Sequence, residues 1–229
     1  MMPEDHTHLH PGGIEVQTHP LATRLSHWLM ALSIFIMIGS GWRIYDSEPI
    51  FPFVFPYWMT LGGDVDAALA RNNDPGVAGA LLWHFAGMWL LVLSYLVFMV
   101  WGVVTGHFRR DFLPIGPRAF WRDFVAALRR RLSHRLGEYN AVQRVAYWVA
   151  LAAVLLMVVS GIAIWKPVQT YPLEVAFGGF QGARIVHFLG MAVIVGFLFI
   201  HVALVVLVPK TFVAMVVGRA TAAAHREQV

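Results

Sequence analysis

The sequence predicts an all-α integral membrane protein, a four-helix bundle, and three observations carry that prediction. The 229 residues are 58% hydrophobic and only 13% charged, with a mean hydropathy of +0.62, which is more apolar surface than a soluble domain of this size buries. Four apolar stretches, roughly 25 to 45, 80 to 104, 144 to 165 and 184 to 208, each reach the about 20 residues that a helix needs to cross about 30 Å of hydrocarbon. Apolarity within them is continuous rather than alternating. That favours helices, whose amides are all bonded within the segment, over a barrel.

Residues 1 to 20 have no basic n-region and no small-residue cleavage site, so they read as a disordered tail before a retained first span. Their His6, His8 and His10 are treated as part of that tail, with adventitious metal binding as the alternative. The bundle itself covers 21 to 208, and 209 to 229 form a second tail.

The connection from 46 to 79 sets Asp46, Glu48, Asp64, Asp66 and Asp74 against Arg71. The connection between the second and third spans carries Arg109, Arg110, Arg118, Arg122, Arg129, Arg130, Arg131 and Arg135. Positive loops stay inside, so the second connection and both termini are expected in the cytoplasm. The net charge of +4 therefore reports topology, and no nucleic-acid partner is implied. From Pro117 to Leu132, Phe120, Trp121, Phe124, Val125, Leu128 and Leu132 share one helical face with arginines elsewhere, as in an interfacial helix on anionic membrane lipid. The residues after Pro209 suggest another.

The chain has no cysteine, which excludes a cysteine-ligated iron–sulfur cluster, a disulfide and a thioether-attached haem. Of eleven histidines, His27, His84, His187 and His201 fall within spans, where ionisable side chains are costly and usually functional. His27 and His201 lie at cytoplasmic depth, His84 and His187 at outer depth. The 14 residues from His187 to His201 cover about 21 Å of helix and return to nearly the same face. One helix can thus serve two sites, and four imidazoles at two depths match two bis-histidine haems, with His27 paired to His201 and His84 to His187. A chain of proton-relay histidines is the competing reading.

An internal repeat accompanies them. Arg24-Leu25-Ser26-His27-Trp28 recurs as Arg144-Val145-Ala146-Tyr147-Trp148, and Ser40-Gly41 as Ser160-Gly161, at one offset of 120. His84-Phe85-Ala86-Gly87-Met88 matches His187-Phe188-Leu189-Gly190-Met191. Both halves start on the same side, a parallel repeat also found in transporters. It is broken where Tyr147 replaces the counterpart of His27 and Phe98 that of His201. Glycines 39, 41, 87, 161 and 190 suit either close helix contacts or a flat macrocycle. Arg24, Arg43, Arg144 and Arg184, at span ends, suit either haem propionates or lipid headgroups.

With these motifs, and with Trp83-His84-Phe85, Gly106-His107-Phe108, Tyr139-Asn140 through Gln143-Arg144 and Arg184 through Met191, the chain resembles the bacterial di-haem cytochrome b family, of the b561 type. That family includes membrane subunits of nickel–iron hydrogenases, formate dehydrogenase and thiosulfate reductase. The resemblance covers roughly 20 to 218. It implies that the four matching histidines ligate two haems b in the bacterial inner membrane, and that electrons pass between a periplasmic catalytic subunit and quinone. The outer loop with Phe51-Pro52-Phe53-Val54-Phe55-Pro56-Tyr57-Trp58 is longer than in the hydrogenase subunits. Ser40-Gly41-Trp42-Arg43-Ile44-Tyr45 and Ile164-Trp165-Lys166-Pro167 look more like relatives that accompany a molybdopterin oxidoreductase.

The leading expectation is therefore an electron-transfer subunit of a respiratory complex. Two alternatives remain: a self-contained oxidoreductase, for instance one passing electrons from superoxide to quinone, and a haem-free transporter. His107 and Asp111 read as a solvated loop or as groups handling quinone protons.

Overall fold

The computed structural model describes residues 9–10, 13–17, 20–63, 77–113, 115–129 and 140–222. His6, His8, Asp64, Asp66, Arg71, Asp74, Arg130, Arg131, Leu132 and Arg135 lie outside them.

Among the described residues, four helices are long and apolar enough to cross a membrane: α1 (Leu21–Ser47), α2 (Val77–Val104), α4 (Ala141–Trp165) and α6 (Gly179–Leu207). Shorter helices lie between and after them: α3 (Pro117–Leu128), α5 (Tyr171–Ala176) and α7 (Pro209–Val217). A 3-10 turn spans Tyr57–Met59 and a π-helical turn Phe108–Phe112. Strands β1 (Leu9–His10), β2 (Gly13–Gln17) and β3 (Arg219–Ala222) make a small antiparallel sheet in the order β1-β2-β3, with Leu9 opposite Ile14 and Gln17 opposite Arg219.

The observed helices differ from the expected spans mainly at their starts. α1 begins four residues early because Pro20, unable to continue a helix on its N-terminal side, offers its carbonyl to the amide of Arg24 (3.1 Å). α6 begins at Gly179, where Gly178 and Gly179 both have positive φ (83° and 85°), a conformation that suits glycine. α7 starts with proline and stops at Gly218 in the left-handed region (φ 83°), whose amide returns to the Ala214 carbonyl.

The chain forms two compact units. One comprises Met1–Leu25, Trp101–Trp148 and Phe197–Val229, the other Ser26–Val100 and Val149–Gly196. In the second unit, Leu91 and Tyr95 of α2 pack with Ala153 and Val154 of α4 and Ile194 of α6, joined by Met30 and Ile34 of α1. The Tyr95 hydroxyl donates to the Leu151 carbonyl (3.1 Å). Ser33, Ser40 and Ser160 are 0% exposed, whereas Leu82 and Leu93 stand 74% and 60% exposed. Small hydroxyls inside and large apolar side chains outside is the pattern of a surface that meets lipid. Each buried hydroxyl donates to a carbonyl one turn back in its own helix, so burial leaves no orphan.

The first unit is organised around the start of α4. Asn140 and Gln143 form a reciprocal capping box: the Gln143 amide donates to Asn140 Oδ1 (2.9 Å) and the Asn140 amide to Gln143 Oε1 (3.1 Å). Asp123 of α3 accepts from the Ala141 amide (3.0 Å). That bond, followed by the Arg122 guanidinium, holds the Asp123 carboxyl below the usual carboxylate range. Behind it, Phe112 stacks on Tyr147 (5.5 Å, 22°), and Phe108 meets Trp148 (5.7 Å).

Candidate functional site

The second unit brings two of the four span histidines together. His84 on α2 and His187 on α6 face each other with ring centres 6.4 Å apart and ring planes at 62°. Two imidazoles on opposite sides of one metal, with bonds of about 2 Å, have ring centres about 6 Å apart. Among the described residues, no three of His, Asp or Glu converge in a way that suits a metal ion. Two opposed imidazoles match the needs of a macrocycle that supplies the other donors itself.

Each ring is seated by a Ser-Gly step on a neighbouring helix. Ser40 Oγ of α1 lies 3.0 Å from His84 Nδ1, and Ser160 Oγ of α4 lies 3.0 Å from His187 Nδ1. The proton roles follow from counting donors. A hydroxyl has one proton, and Ser40 directs it to the Ile36 carbonyl (2.6 Å), Ser160 to the Leu156 carbonyl (2.7 Å). Towards the ring each hydroxyl therefore accepts, and Nδ1–H donates. With Nδ1 protonated, Nε2 keeps its lone pair and is the nitrogen able to bind a metal.

The glycines that follow the serines lie directly against the rings. A Cβ at Gly41 would lie 3.4 Å from His84 Cε1, and one at Gly161 would lie 3.3 Å from His187 Cε1. The other three candidate glycines close against protein instead: Gly39 against Leu61, Gly87 against Ile36 and Met37, Gly190 against Met157. Gly87 and Gly190 thus serve helix packing, and Gly39 lets the loop at Leu61 lie against α1.

His27 belongs to the second unit, edge-on to Trp28 (5.3 Å, 88°). His201 belongs to the first unit and stacks on Phe197 (5.5 Å, 15°). The arginines divide similarly. In the second unit Arg43 lies over the Tyr57 ring (5.2 Å), and Arg184 donates to Gln181 (2.9 Å) and to the Glu48 carbonyl, with the Glu48 carboxylate 3.8 Å away. In the first unit Arg24 donates to the Val216 carbonyl, and the Arg144 amide bonds the Asn140 carbonyl in the first turn of α4.

His107 and Asp111 pair directly, Nδ1 to Oδ2 at 2.5 Å, across the π-helical turn. In the loop after α1, Phe55 stacks on Trp42 (4.5 Å, 8°), and Phe51 and Phe53 pack on Tyr45 and Phe188. Trp58 is left 81% exposed. Sequence reasoning read the two serines only as part of a repeat. The available signal was that a hydroxyl precedes a glycine in both the first and third spans, at one offset from each other.

The sequence matches the prokaryotic cytochrome b561 family over residues 18–218. It is 43% identical over 201 residues to a putative protein-methionine-sulfoxide reductase subunit, YedZ1, of Azospira oryzae, covering 87% of this chain and 96% of that one. It is 23% identical to a probable Ni/Fe-hydrogenase B-type cytochrome subunit of Bradyrhizobium diazoefficiens, covering 82% of this chain and 76% of that one. Identity is 20% to the cytochrome b556 subunit of the nitrate-inducible formate dehydrogenase of Escherichia coli, covering 86% and 80%. Four membrane-length helices with paired histidines inside them, and a match that runs through all four, place this chain in the prokaryotic cytochrome b561 family, an electron-transfer membrane cytochrome whose cofactor is haem b.

Proposed function

We propose that the chain carries electrons through the inner membrane, between quinone and a periplasmic-side oxidoreductase, by means of two haems b. The single observation that supports this most strongly is the opposed pair His84 and His187, 6.4 Å apart, each ring oriented by a serine. In this reading His84 and His187 hold one haem through Nε2. The sequence assigns the other to His27 and His201, on their matching depths and on the family resemblance. Bound haem b supplies a one-electron iron couple. The protein's share is to hold the rings, keep water from them and set their electronic character.

Arg43 and Arg184 at one end, and Arg24 and Arg144 at the other, serve as cationic partners for propionates. The broken repeat explains the asymmetry: helices α1 and α2 supply one ligand each, α6 supplies two, and α4 supplies packing and Ser160. Basic residues between the second and third spans put that connection and both termini in the cytoplasm.

The relative in Azospira oryzae is named as a subunit of a protein-methionine-sulfoxide reductase. By analogy, the partner here is a periplasmic reductase of the molybdopterin type acting on methionine sulfoxide, and electrons run outward from quinol. Reduction of a sulfoxide to a sulfide consumes two electrons and two protons and releases water, which one quinol supplies in electron count.

The test is reconstitution of the detergent-purified chain in vesicles with a water-insoluble quinol, followed by spectroscopy of the haem band. Quinol-dependent reduction, with reoxidation on adding the isolated partner reductase and protein-bound methionine sulfoxide, is expected. Haem that stays oxidised in the presence of quinol overturns the quinone end of the proposal.

A further inference from the structure

We propose that Ser40 and Ser160 are positioning residues that set the reduction potential of one haem only, the one held by His84 and His187. The inference rests on that ligand assignment and adds to it. Both serines are 0% exposed, so no water stands ready to replace either hydroxyl. Both direct their proton at a carbonyl of their own helix and so present a lone pair to Nδ1–H at 3.0 Å.

An acceptor on Nδ1–H shifts electron density onto the ring and makes Nε2 a stronger donor to iron, which favours the ferric state and lowers the potential. Both histidines that would hold this haem receive this push, from two different helices. The effects therefore add on one haem. The paired serines thus hold the potential of this one haem below the value it would have without them.

A purely structural role is separable from this one. Ser33 is also 0% exposed, on the same helix as Ser40, and its hydroxyl donates to the Met30 carbonyl (2.8 Å). Replacing it removes a buried helix hydroxyl that is not seated on a span histidine.

The experiment is a redox titration of the full-length, detergent-purified protein and its S40A, S160A, S40A/S160A and S33A variants, with low-temperature electron paramagnetic resonance of the oxidised haems. The His84→Ala variant identifies which haem belongs to this pair. The midpoint of that haem is expected to rise in each serine-to-alanine variant at the pair, further in the double variant, with its ferric g-values altered. The other haem, and both haems of S33A, are expected to hold their wild-type values. Unmoved midpoint and g-values in S40A/S160A, with both haems retained, would overturn the inference and leave the ligand assignment standing. Wild-type protein without haem overturns both.

Discussion

His84 and His187 approach ring to ring within the second unit, 6.4 Å between centres, and neither α2 nor α6 supplies the serine that meets its own imidazole. Their partners come from α1 and α4 instead. Removal of either ring should therefore empty the same site. His84→Ala and His187→Ala are each expected to lower haem content by one per chain, and the double variant by no more than one. Pyridine haemochrome assay of the purified variants checks this, and a loss of two in the double variant would contradict the pairing.

The capping box at the start of α4 has a separable cost. Asn140→Ala removes one of two reciprocal bonds and is expected to destabilise the protein by about 1 kcal/mol. Thermal unfolding followed by loss of helical circular dichroism measures it.

Asp123 gives a pH dependence of known sign. Its carboxyl is held below the usual range, first by the Ala141 amide and then by Arg122. A depressed folded-state pKa means that the stabilisation is fully present above the unfolded-state pKa, and is lost as pH falls through the folded value. Wild type should exceed Asp123→Ala in stability by a few tenths of a kcal/mol at neutral pH, as for a solvent-screened carboxylate at a helix start. The difference should shrink as the pH drops through the carboxylate range and should not change between pH 6 and about 8.

Tyr95 ties α2 to α4 by donating to the Leu151 carbonyl (3.1 Å) inside the apolar core of the second unit. Tyr95→Phe keeps the ring and removes one hydrogen bond. A cost of about 0.5 to 1 kcal/mol is expected, since polar contacts within membrane bundles contribute modestly. Denaturant unfolding in mixed micelles reads it.

Arg184 and Glu48 test which partner matters near the start of α6. The carboxylate is 3.8 Å from the guanidinium and mostly exposed, whereas the Glu48 carbonyl and Gln181 bond it directly. Glu48→Gln should change stability by less than about 0.5 kcal/mol. Arg184→Gln, which removes the cation proposed for a propionate, should lower the retention of the haem held by His84 and His187 while Glu48→Gln retains it. Haem dissociation into excess apomyoglobin distinguishes the two variants.

Much of this molecule can be read from its residues because the bilayer imposes simple rules. Continuous apolarity over about 20 residues needs no tertiary information to be read as a span, and the four long helices lie where the four stretches do. Helix ends were less legible: Pro20, Gly178 and Gly179 move the starts of α1 and α6 by several residues, and boundary chemistry of this kind competes with apolar signal. α5 (Tyr171–Ala176) is too short to have a period of its own. The candidate histidines stand out because a titratable side chain in hydrocarbon is costly. Ser40 and Ser160 do not, because a serine in a membrane helix satisfies itself on its own backbone, and nothing in the local sequence says that its lone pair points at a ring on another helix. Gly39, Gly87 and Gly190 looked equivalent to Gly41 and Gly161 for the same reason: a missing Cβ does not say what fills the gap.

The most direct measurement of the central claim is a reduced-minus-oxidised optical spectrum of the purified, detergent-solubilised protein, with haem quantified per chain. The bands of low-spin haem b, at two haems per chain, are the expected result. A protein that folds and purifies without haem would contradict it, and would leave the span histidines to be explained as a proton path.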